Sequence, residues 1–329
     1  MSAHSGDSGG RLDPGTSGAV PQTRKSSLFL TGATGFIGAR LLSRLLDDGW
    51  SVRVLVREGS PRNRDIDPRA SQISGDLADP AALGRGLAGT CAVINCAGTV
   101  RGMSRQQFET ANVAGVRALC TAVARLSARP ALLHLSSLAA TEPTLSFYAQ
   151  SKADGESVLG GFTALNWCVF RPSAVYGPGD VELKSTLAWA RRGLLPVPGG
   201  NRSQRLSFLH VDDLVNAICH WLEEPDRHRH RTYGLHDGSA EGYDWPAIAA
   251  CVSERRPVYL TLPTPLLKTF AGLNESLARI SGRAVMLSRG KVNELVHPAW
   301  LCDNTAFTEA SGWIPQIQLA HGVKALFES

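Results

Sequence analysis

Residues 27–38 read Ser27-Leu28-Phe29-Leu30-Thr31-Gly32-Ala33-Thr34-Gly35-Phe36-Ile37-Gly38. An apolar run is followed by three glycines, each three residues from the next, and residues 39–46 then favour a helix. This order predicts a strand, a tight turn and a helix. Gly32 permits the turn, Gly35 lets backbone amides approach a phosphate, and Gly38 lets the helix pack closely on the strand. Because phosphates favour the positive end of a helix dipole, the stretch predicts a nucleotide-binding unit.

A second motif lies downstream, where Tyr148 and Lys152 follow the serine pair Ser136-Ser137. Residues four apart lie on the same face of a helix. A free tyrosine has a pKa of about 10 and is a poor base at neutral pH, so a neighbouring ammonium that favours the phenolate would activate it. The motif therefore predicts acid–base chemistry on an alcohol or ketone, with a serine hydroxyl holding the substrate oxygen.

On the glycine motif and the segment Tyr148-Ala149-Gln150-Ser151-Lys152, the chain resembles the extended short-chain dehydrogenases/reductases, which include NAD(P)-dependent epimerases, dehydratases and 3β-hydroxysteroid-dehydrogenase-like enzymes. Matching segments run from Ser27 to about Gly312. The resemblance implies an α/β fold: a Rossmann-type doubly wound parallel sheet with a smaller C-terminal substrate-binding lobe. It also implies that Asn112 supports the lysine through water. Both serines are candidates for the catalytic hydroxyl, and the family pattern favours Ser137.

Apolar runs alternate with helical patterns along the chain, which predicts parallel βαβ units. Residues 1–25 are rich in Ser, Gly, Pro and Asp and are predicted to be a disordered tail. We expect an NAD(P)-binding Rossmann domain over residues 26–180, with 206–235 returning to it, and a substrate-binding lobe over 181–205 and 236–329. The predicted strands after the first are residues 52–56, 71–74, 92–95, 131–135 and 168–171.

Composition narrows the class of protein. The chain has 329 residues, of which 43% are hydrophobic and 19% charged, as in ordinary globular proteins. Its net charge of +5 is mild, and the densest basic cluster, residues 227–231, is interpreted as a solvated loop rather than a nucleic-acid, metal or phosphate site. Seven scattered cysteines without a Cys-x-x-Cys pair indicate a reducing compartment and no metal site. With no apolar stretch long enough to span a bilayer and no apolar signal-peptide core, we predict a cytoplasmic protein.

The end of the second predicted strand bears on the choice of cofactor, because NAD enzymes place an acidic residue there and NADP enzymes use an arginine. Here the strand is followed by Arg57, whose guanidinium would pair with a 2′-phosphate, so we predict NADP, with NAD as the alternative. The resemblance implies further contacts with the adenine, the ribose, the pyrophosphate and the nicotinamide. The full set of predicted cofactor-binding residues is Gly32, Thr34, Gly35, Phe36, Ile37, Gly38, Arg57, Asp76, Leu77, Cys96, Ala97, Gly98, Lys152, Pro172, Ser173 and Val175.

Three departures from family patterns bear on the substrate. Sugar dehydratases carry an acidic pair after the first active-site hydroxyl, where this chain has Leu138-Ala139-Ala140. Nucleotide-sugar epimerases place a diphosphate-clamping arginine where this chain has Leu206, and Arg205 is one residue out of register. The C-terminal part is apolar instead, a pattern that fits a core, a dimer contact or a ligand wall. Its apolar residues are Leu260, Leu262, Leu266, Leu267, Phe270, Leu273 and Leu277.

Together these observations predict an NADP-preferring oxidoreductase that interconverts a secondary alcohol and a ketone on a small hydrophobic substrate, such as a sterol, an isoprenoid or a polyketide-like compound. Tyr148 is the predicted acid/base, Lys152 its activator, Ser137 the oxygen anchor and Asn112 the support. One alternative is an NAD-dependent nucleotide-sugar epimerase that recycles its cofactor internally. Another is a non-catalytic cofactor-binding regulator or assembly subunit. By analogy we expect a homodimer formed through the helices that carry Asn112 and Tyr148.

Overall fold

Strands and helices alternate along the chain in a computed structural model that describes residues 1–2, 26–102, 104–180, 182–253, 257–281 and 287–328. The predicted tail lies almost entirely outside the described residues. The strands are β1 (Ser27–Thr31), β2 (Ser51–Val56), β3 (Ser71–Ser74), β4 (Ala92–Asn95), β5 (Ala131–Leu135), β6 (Trp167–Pro172), β7 (Ala174–Tyr176), β8 (Leu194–Pro198), β9 (Arg205–Leu206), β10 (Phe208–His210), β11 (Arg231–Leu235), β12 (Val258–Leu262) and β13 (Ala299–Trp300).

The helices cover the faces of the sheet or lie in the C-terminal part of the chain. They are α1 (Phe36–Asp47), α2 (Pro80–Leu87), α3 (Arg105–Glu109), α4 (Gly115–Ala124), α5 (Phe147–Gly160), α6 (Glu182–Arg191), α7 (Val211–Glu223), α8 (Trp245–Val252), α9 (Thr264–Ser281), α10 (Arg289–Val296), α11 (Thr305–Ser311) and α12 (Leu319–Glu328).

The main sheet has seven parallel strands in the order β11-β6-β5-β4-β1-β2-β3. Its order reverses between β1 and β4, which creates a crevice at the carboxyl ends of the strands, the usual ligand site of such sheets. This architecture confirms the predicted Rossmann-type fold. Three predicted strands, 71–74, 92–95 and 131–135, have the predicted bounds, and β2 and β6 are slightly longer than predicted.

Both faces of the sheet are buried, as a parallel sheet requires. Leu28 and Leu30 of β1 pack into one apolar cluster with residues of α1 and α7. Phe29, whose side chain points the opposite way, packs into a second cluster with residues of α2, α4 and α5. The near-continuous apolar strands of the sequence are therefore explained by helices on both sides.

Residues 206–235 were predicted to return to the Rossmann domain, and one part of them does not join its main sheet. Phe208–His210 (β10) pairs with β7 in a separate two-stranded sheet, and β11 is the strand that forms the edge of the main sheet. The following helix, α7, does pack on the sheet through the first apolar cluster. Asp213 at its start is buried and accepts backbone N–H bonds from Gln316 at 3.1 Å and Ile317 at 2.8 Å, which attaches the C-terminal segment to α7.

The basic cluster at residues 227–231 is only in part the solvated loop that we predicted. His228 is buried, its Nδ1 lies 3.1 Å from the hydroxyl of Tyr233, and burial lowers its pKa. The neighbouring residues are exposed. His228 is therefore a core residue that cannot serve a surface ligand.

All seven cysteines are free thiols. Within the described ranges, no group of three or more His, Cys, Asp or Glu side chains is placed to hold a metal ion. Among those same residues, no helix combines the length and apolar character that crossing a bilayer requires.

Candidate active site

The glycine turn after β1 is tightly packed. Gly32 has a φ of +75°, and a Cβ there would lie 2.6 Å from the backbone nitrogen of Ala97. A Cβ on Gly38 would collide with the carbonyl oxygen of Gly32. Because these contacts are with backbone atoms that cannot move aside, only glycine fits at both positions. The turn therefore holds the start of α1 against the ends of β1 and β4.

The start of α1 is open to an anion. Its N-cap is Gly35, which has no side chain to cap the helix, and the first turn contains no acidic residue. The first backbone N–H groups of a helix have no partner within the helix. Thr34, Phe36 and Ile37 are half-buried around this end, and a Cβ on Gly179 would lie 3.4 Å from the Phe36 ring. These residues fit the pyrophosphate of a dinucleotide.

Two more predicted cofactor residues follow neighbouring strands. Arg57 is exposed directly after β2, and its carbonyl oxygen accepts a 2.8 Å bond from Asn63 that orders the loop. Asp76 is exposed after β3 and accepts a 2.8 Å bond from the amide of Ala78. Leu77 packs against α4, where a Cβ on Gly115 would lie 2.8 Å from it. The structure thus places Arg57 and Asp76 at one edge of the sheet.

Lys152 and Asn112, two of the predicted catalytic residues, lie together at the ends of β4 and β5. Lys152 is only 6% exposed, and its Nζ donates a 2.9 Å bond to the carbonyl oxygen of Leu135, the last residue of β5. A Cβ on Gly98 would lie 3.4 Å from that Nζ and 3.0 Å from Oδ1 of Asn112. Tyr148, one turn before Lys152 on α5, is half-buried with its ring 6.3 Å from that of Phe108.

Burial changes the acidity of the lysine. Loss of hydration lowers the pKa of Lys152 to about 8, although the charge of Glu156 favours its ammonium form. Such a lowered pKa is typical of a lysine that works in a site. The side chain therefore titrates close to neutral pH.

Asn112 lies in a single turn of π helix, Thr110–Ala114, between α3 and α4. Its Oδ1 accepts a bond from the amide of Thr99 at 2.8 Å, and its Nδ2 donates to Ser151 Oγ at 2.9 Å. Ser151 Oγ in turn donates to the carbonyl oxygen of Tyr148 at 2.8 Å. Asn112 thus connects the loop after β4 to the turn of α5 between Tyr148 and Lys152. Ser151 and Thr99 were not among the predicted site residues, although Ser151 lies within the Tyr148 motif.

The two adjacent serines have different surroundings. Ser136 is buried, and its hydroxyl donates to the carboxylate of Glu156, which also accepts a 3.0 Å bond from Nε of Arg171. Ser137 is half-buried at the start of a short 3-10 turn, where its Oγ accepts a 3.2 Å bond from the amide of Ala139. The Ser136 proton is therefore engaged within the protein. The Ser137 hydroxyl keeps its donor capacity, because it acts only as an acceptor in that bond.

A row of buried polar side chains crosses the sheet next to the lysine. Thr31 Oγ1 donates to Asn95 Oδ1 at 2.6 Å, and Asn95 Nδ2 lies 3.1 Å from Nδ1 of His134. Burial lowers the pKa of His134 to about 3, and the charge of Lys152 contributes to this shift. His134 is therefore neutral at physiological pH and adds no second positive charge beside Lys152.

The remaining predicted cofactor residues lie at the ends of β4 and β6, except Val175, which lies in β7. Cys96 and Ala97 are half-buried directly after β4. Pro172 ends β6, and the amide of Ser173 donates to the carbonyl oxygen of Leu235 at 3.0 Å. The hydroxyl of Ser173 is buried and has no hydrogen-bond partner among the described residues. Such an orphaned polar atom suits contact with a polar ligand.

The C-terminal part of the chain contacts the residues just before Tyr148. Ser146 caps α5, since its Oγ accepts a 2.9 Å bond from the amide of Ala149, and it donates to the buried carboxylate of Glu294 on α10. Nδ2 of Asn293 donates to the carbonyl oxygen of Leu145 at 3.0 Å. Helix α10 thus determines where α5 begins. No sequence signal connected these distant segments.

The chain is similar in sequence to known proteins. Residues 28–235 match the model of the NAD dependent epimerase/dehydratase family. The chain is 32% identical over 313 residues to a ceramide reductase from Caulobacter vibrioides, covering 87% of this chain and 96% of the relative. It is 26% identical over 223 residues to a 3 beta-hydroxysteroid dehydrogenase/Delta 5→4-isomerase from Mycobacterium tuberculosis, covering 60% of each chain.

Solved structures share the fold. The UDP-glucuronic acid 4-epimerase from Bacillus cereus, in complex with UDP-glucuronic acid and NAD, superposes with a TM-score of 0.69. The two chains are 17% identical, and the superposition covers 92% of this chain and 98% of that one. At this level of identity the likeness is evidence for the fold alone.

Ser137→Ala is expected to lower kcat/KM by about a hundredfold or more, because the substrate oxygen loses a hydrogen-bond donor. Ser136→Ala is the matched control one residue away, and it should reduce kcat/KM much less while lowering the melting temperature through the loss of the bond to Glu156. Steady-state kinetics and thermal unfolding of both variants check the prediction. The reverse ranking in kcat/KM would assign the catalytic hydroxyl to Ser136.

Turnover in the direction that protonates a substrate oxygen should depend on the charge of Lys152. Because its pKa is about 8, the ammonium is present below that pH and is lost as the pH rises through it. We expect kcat/KM for reduction to be level below pH 8 and then to fall by about tenfold per pH unit. Nucleotide binding measured over the same range is the control. A kcat/KM that stays level up to pH 10 would contradict this role for Lys152.

Proposed function

The chain belongs to the NAD-dependent epimerase/dehydratase family, and we propose that it reduces a ketone on a long-chain lipid to the secondary alcohol, with NADPH as the preferred reductant. Because it belongs to this family, the chain is an NAD(P)-dependent oxidoreductase of the extended short-chain type. The observation that carries the lipid class is the similarity to the ceramide reductase, which spans 96% of that relative and so extends beyond the nucleotide-binding part. This narrows the hydrophobic substrates predicted from the sequence to a lipid that bears a ketone.

The proposed mechanism assigns a role to each side chain of the site. When bound, the nicotinamide supplies the hydride. The hydroxyl of Ser137 donates a hydrogen bond to the substrate carbonyl oxygen and orients it. Tyr148 donates its phenolic proton to that oxygen as it gains negative charge, and the ammonium of Lys152 stabilises the phenolate that remains. Asn112 keeps the segment between Tyr148 and Lys152 in place through Ser151.

The preference for NADP is proposed from Arg57. Its exposed side chain directly follows β2, the position at which the ribose of a dinucleotide lies in this fold. Glu58 comes one residue later and is also exposed. A guanidinium at this point pairs with a 2′-phosphate, whereas NAD offers only a hydroxyl.

The epimerase alternative lacks structural support at the diphosphate clamp. Arg202 stacks over the ring of Tyr259 at 4.3 Å. Leu206, at the position of the family's clamping arginine, packs against the apolar cluster of the C-terminal part. Arg205 is exposed on β9. These surroundings favour an apolar substrate over a nucleotide sugar, although both reactions would use the same catalytic residues.

We also propose a homodimer formed through the outer faces of α4 and α5. An open groove of about 490 Å³ lies there, lined by side chains that include Val113, Arg117, Asp154 and Val158. Apolar and oppositely charged side chains on one surface suit a self-complementary contact.

The activity is tested with NADPH and the ketone form of a ceramide in detergent micelles, with UDP-glucose assayed separately. We expect NADPH oxidation and formation of the alcohol, detected by mass spectrometry. Tyr148→Phe should bind NADPH with unchanged affinity and lose about a hundredfold or more of kcat. Retained turnover in that variant would refute the mechanism.

The amount of nucleotide that is released when the dialysed protein is denatured distinguishes the reductase from the epimerase. An exchanging reductase should release little. Near-stoichiometric NAD together with isomerisation of the UDP-sugar would instead establish the epimerase. A protein that binds nucleotide but turns over neither substrate class would favour the non-catalytic reading.

Arg57→Ala should weaken NADPH binding by about tenfold to a hundredfold, the range expected for a charge-assisted hydrogen bond. NADH binding should be nearly unchanged, because NADH has no 2′-phosphate. Isothermal titration calorimetry with both nucleotides measures the difference. Arg69→Ala is the matched control, since that arginine is exposed and paired with Asp47 and Asp67. Equal losses for NADPH and NADH in Arg57→Ala would argue against the NADP preference.

A further inference from the structure

Two charged side chains of α5 contact consecutive residues at the end of β5. Lys152 donates to the carbonyl oxygen of Leu135 at 2.9 Å, and Glu156, one helical turn later, accepts a hydrogen bond from the hydroxyl of Ser136. Residues four apart in a helix are neighbours on one face. The ammonium and the carboxylate therefore lie side by side, and both bind the strand end that leads into Ser137.

The carboxylate of Glu156 is also held by a third element, β6. Its two oxygens each accept a 3.0 Å bond from Nε of Arg171, and one of them accepts a further bond from Nη2 of the same guanidinium. The side chain of Glu156 is 10% exposed and that of Arg171 is 30% exposed. A guanidinium that binds a carboxylate through two of its nitrogens fixes the orientation of that carboxylate. The negative charge is therefore kept beside Lys152.

Three other titratable groups near Lys152 are uncharged at neutral pH. Burial raises the pKa of the Cys96 thiol, directly after β4, to about 12, and burial lowers the pKa of His134 on β5 to about 3. Tyr148, one turn before Lys152 on α5, acts in the proposed reaction as a phenol that donates its proton. None of these three groups compensates for the charge of the buried ammonium.

The charged side chains on the surrounding elements differ in position. Asp154 lines the open groove outside α4 and α5, and Glu109 of α3 is exposed and paired with Arg105 at 2.6 Å. Glu156 and Arg171 instead lie partly or largely buried at the strand end that the lysine binds. The charge around the ammonium is therefore determined by Glu156, with Arg171 as its partner.

We propose that Glu156 and Arg171 are positioning residues for Lys152: the carboxylate favours the ammonium form of the lysine at the end of β5, and the guanidinium holds that carboxylate and partly offsets its charge. The ion pair would thereby determine the pH range in which the enzyme works. This inference rests on the proposed function in one respect, the need for a charged Lys152 during turnover. It goes beyond that function by assigning a role to two residues that contact neither substrate nor cofactor. Removing the charge of one partner should change the pH range in the opposite direction to removing the charge of the other.

The test follows the titration of Lys152 itself by nuclear magnetic resonance of the full chain, without substrate. The chain contains six lysines, so carbon-13 labelling of the lysine Cε atoms gives few signals, and the variant Lys152→Met identifies the relevant signal by its loss. Glu156→Gln keeps the size of the side chain and removes its charge. We expect the midpoint of the Lys152 titration to fall by about one pH unit, because the ammonium loses a neighbouring carboxylate and the guanidinium remains.

Arg171→Gln should move the same midpoint upward, by about half a pH unit. This variant removes the positive charge and leaves an amide that can still donate to Glu156, so the carboxylate acts on the ammonium without an opposing charge. A purely structural role would lower the melting temperature of both variants without shifts of opposite sign.

Two matched controls separate the effect of charge from other effects. Glu224→Gln makes the same change in net charge at an exposed carboxylate, which pairs with Arg227 at 3.5 Å. Ser136→Ala removes a hydrogen bond to the Glu156 carboxylate without changing any charge. Both controls should leave the midpoint nearly unchanged, and circular dichroism verifies that every variant is folded.

The pH dependence of kcat/KM for reduction is then measured on the same variants. Its fall with rising pH should begin at lower pH in Glu156→Gln and at higher pH in Arg171→Gln. Unchanged resonance midpoints, or shifts of the two midpoints in the same direction, would overturn the inference. If only one variant folds, the direction of its shift decides. Opposite shifts of the midpoint in a protein that reduces no ketone would support the ion pair's role and refute the proposed function, so the two failures are distinguishable.

Discussion

The site depends on keeping one ammonium group out of water at the end of β5. Burying a charge is costly unless polar groups compensate for the lost hydration. For Lys152, the carbonyl oxygen of Leu135 accepts its hydrogen bond at 2.9 Å, and the carboxylate of Glu156 contributes a favourable charge. Compensation is incomplete, so the pKa falls to about 8. The neighbouring His134 remains neutral because its own burial lowers its pKa to about 3.

The burial of this ammonium group explains the identity of several neighbouring residues that take no part in the proposed reaction. Gly98 leaves little room for a larger residue, because a Cβ there would lie 3.0 Å from Oδ1 of Asn112. Glu156 is held by Arg171 and by the hydroxyl of Ser136, so one serine of the pair supports the carboxylate, while the hydroxyl of Ser137 accepts from the amide of Ala139. Asn112, in its π-helical turn, uses its amide to connect two segments whose relative position places Tyr148 and Lys152. The chemistry of this family thus requires a supporting network much larger than the residues that carry it.

The C-terminal part of the chain contributes to the network that positions Tyr148, and its apolar character bears on the proposed lipid substrate. Through Glu294 and Asn293, α10 holds the residues where α5 begins. The same helix packs on α9, where Leu266, Phe270, Leu273 and Leu277 are exposed and so do not form the core that was one interpretation of this segment. Leu206, which packs against an apolar cluster, is consistent with the proposed lipid substrate.

Local pattern was enough to predict much of this protein. The alternation of apolar runs and helical segments, the glycine turn and the Tyr148 motif indicated the parallel sheet, the family and the candidate residues, because each depends on neighbours within a few positions of the chain. Tertiary structure alone decided the rest. It showed that β11 rather than β10 joins the main sheet, that Ser136 is engaged by Glu156, and that Ser146 contacts Glu294, 148 residues away. It also turned the apolar side chains of α9 outward. These outcomes depend on which distant segments pack together, and the same apolar helix face can be buried or exposed without any change in its local pattern.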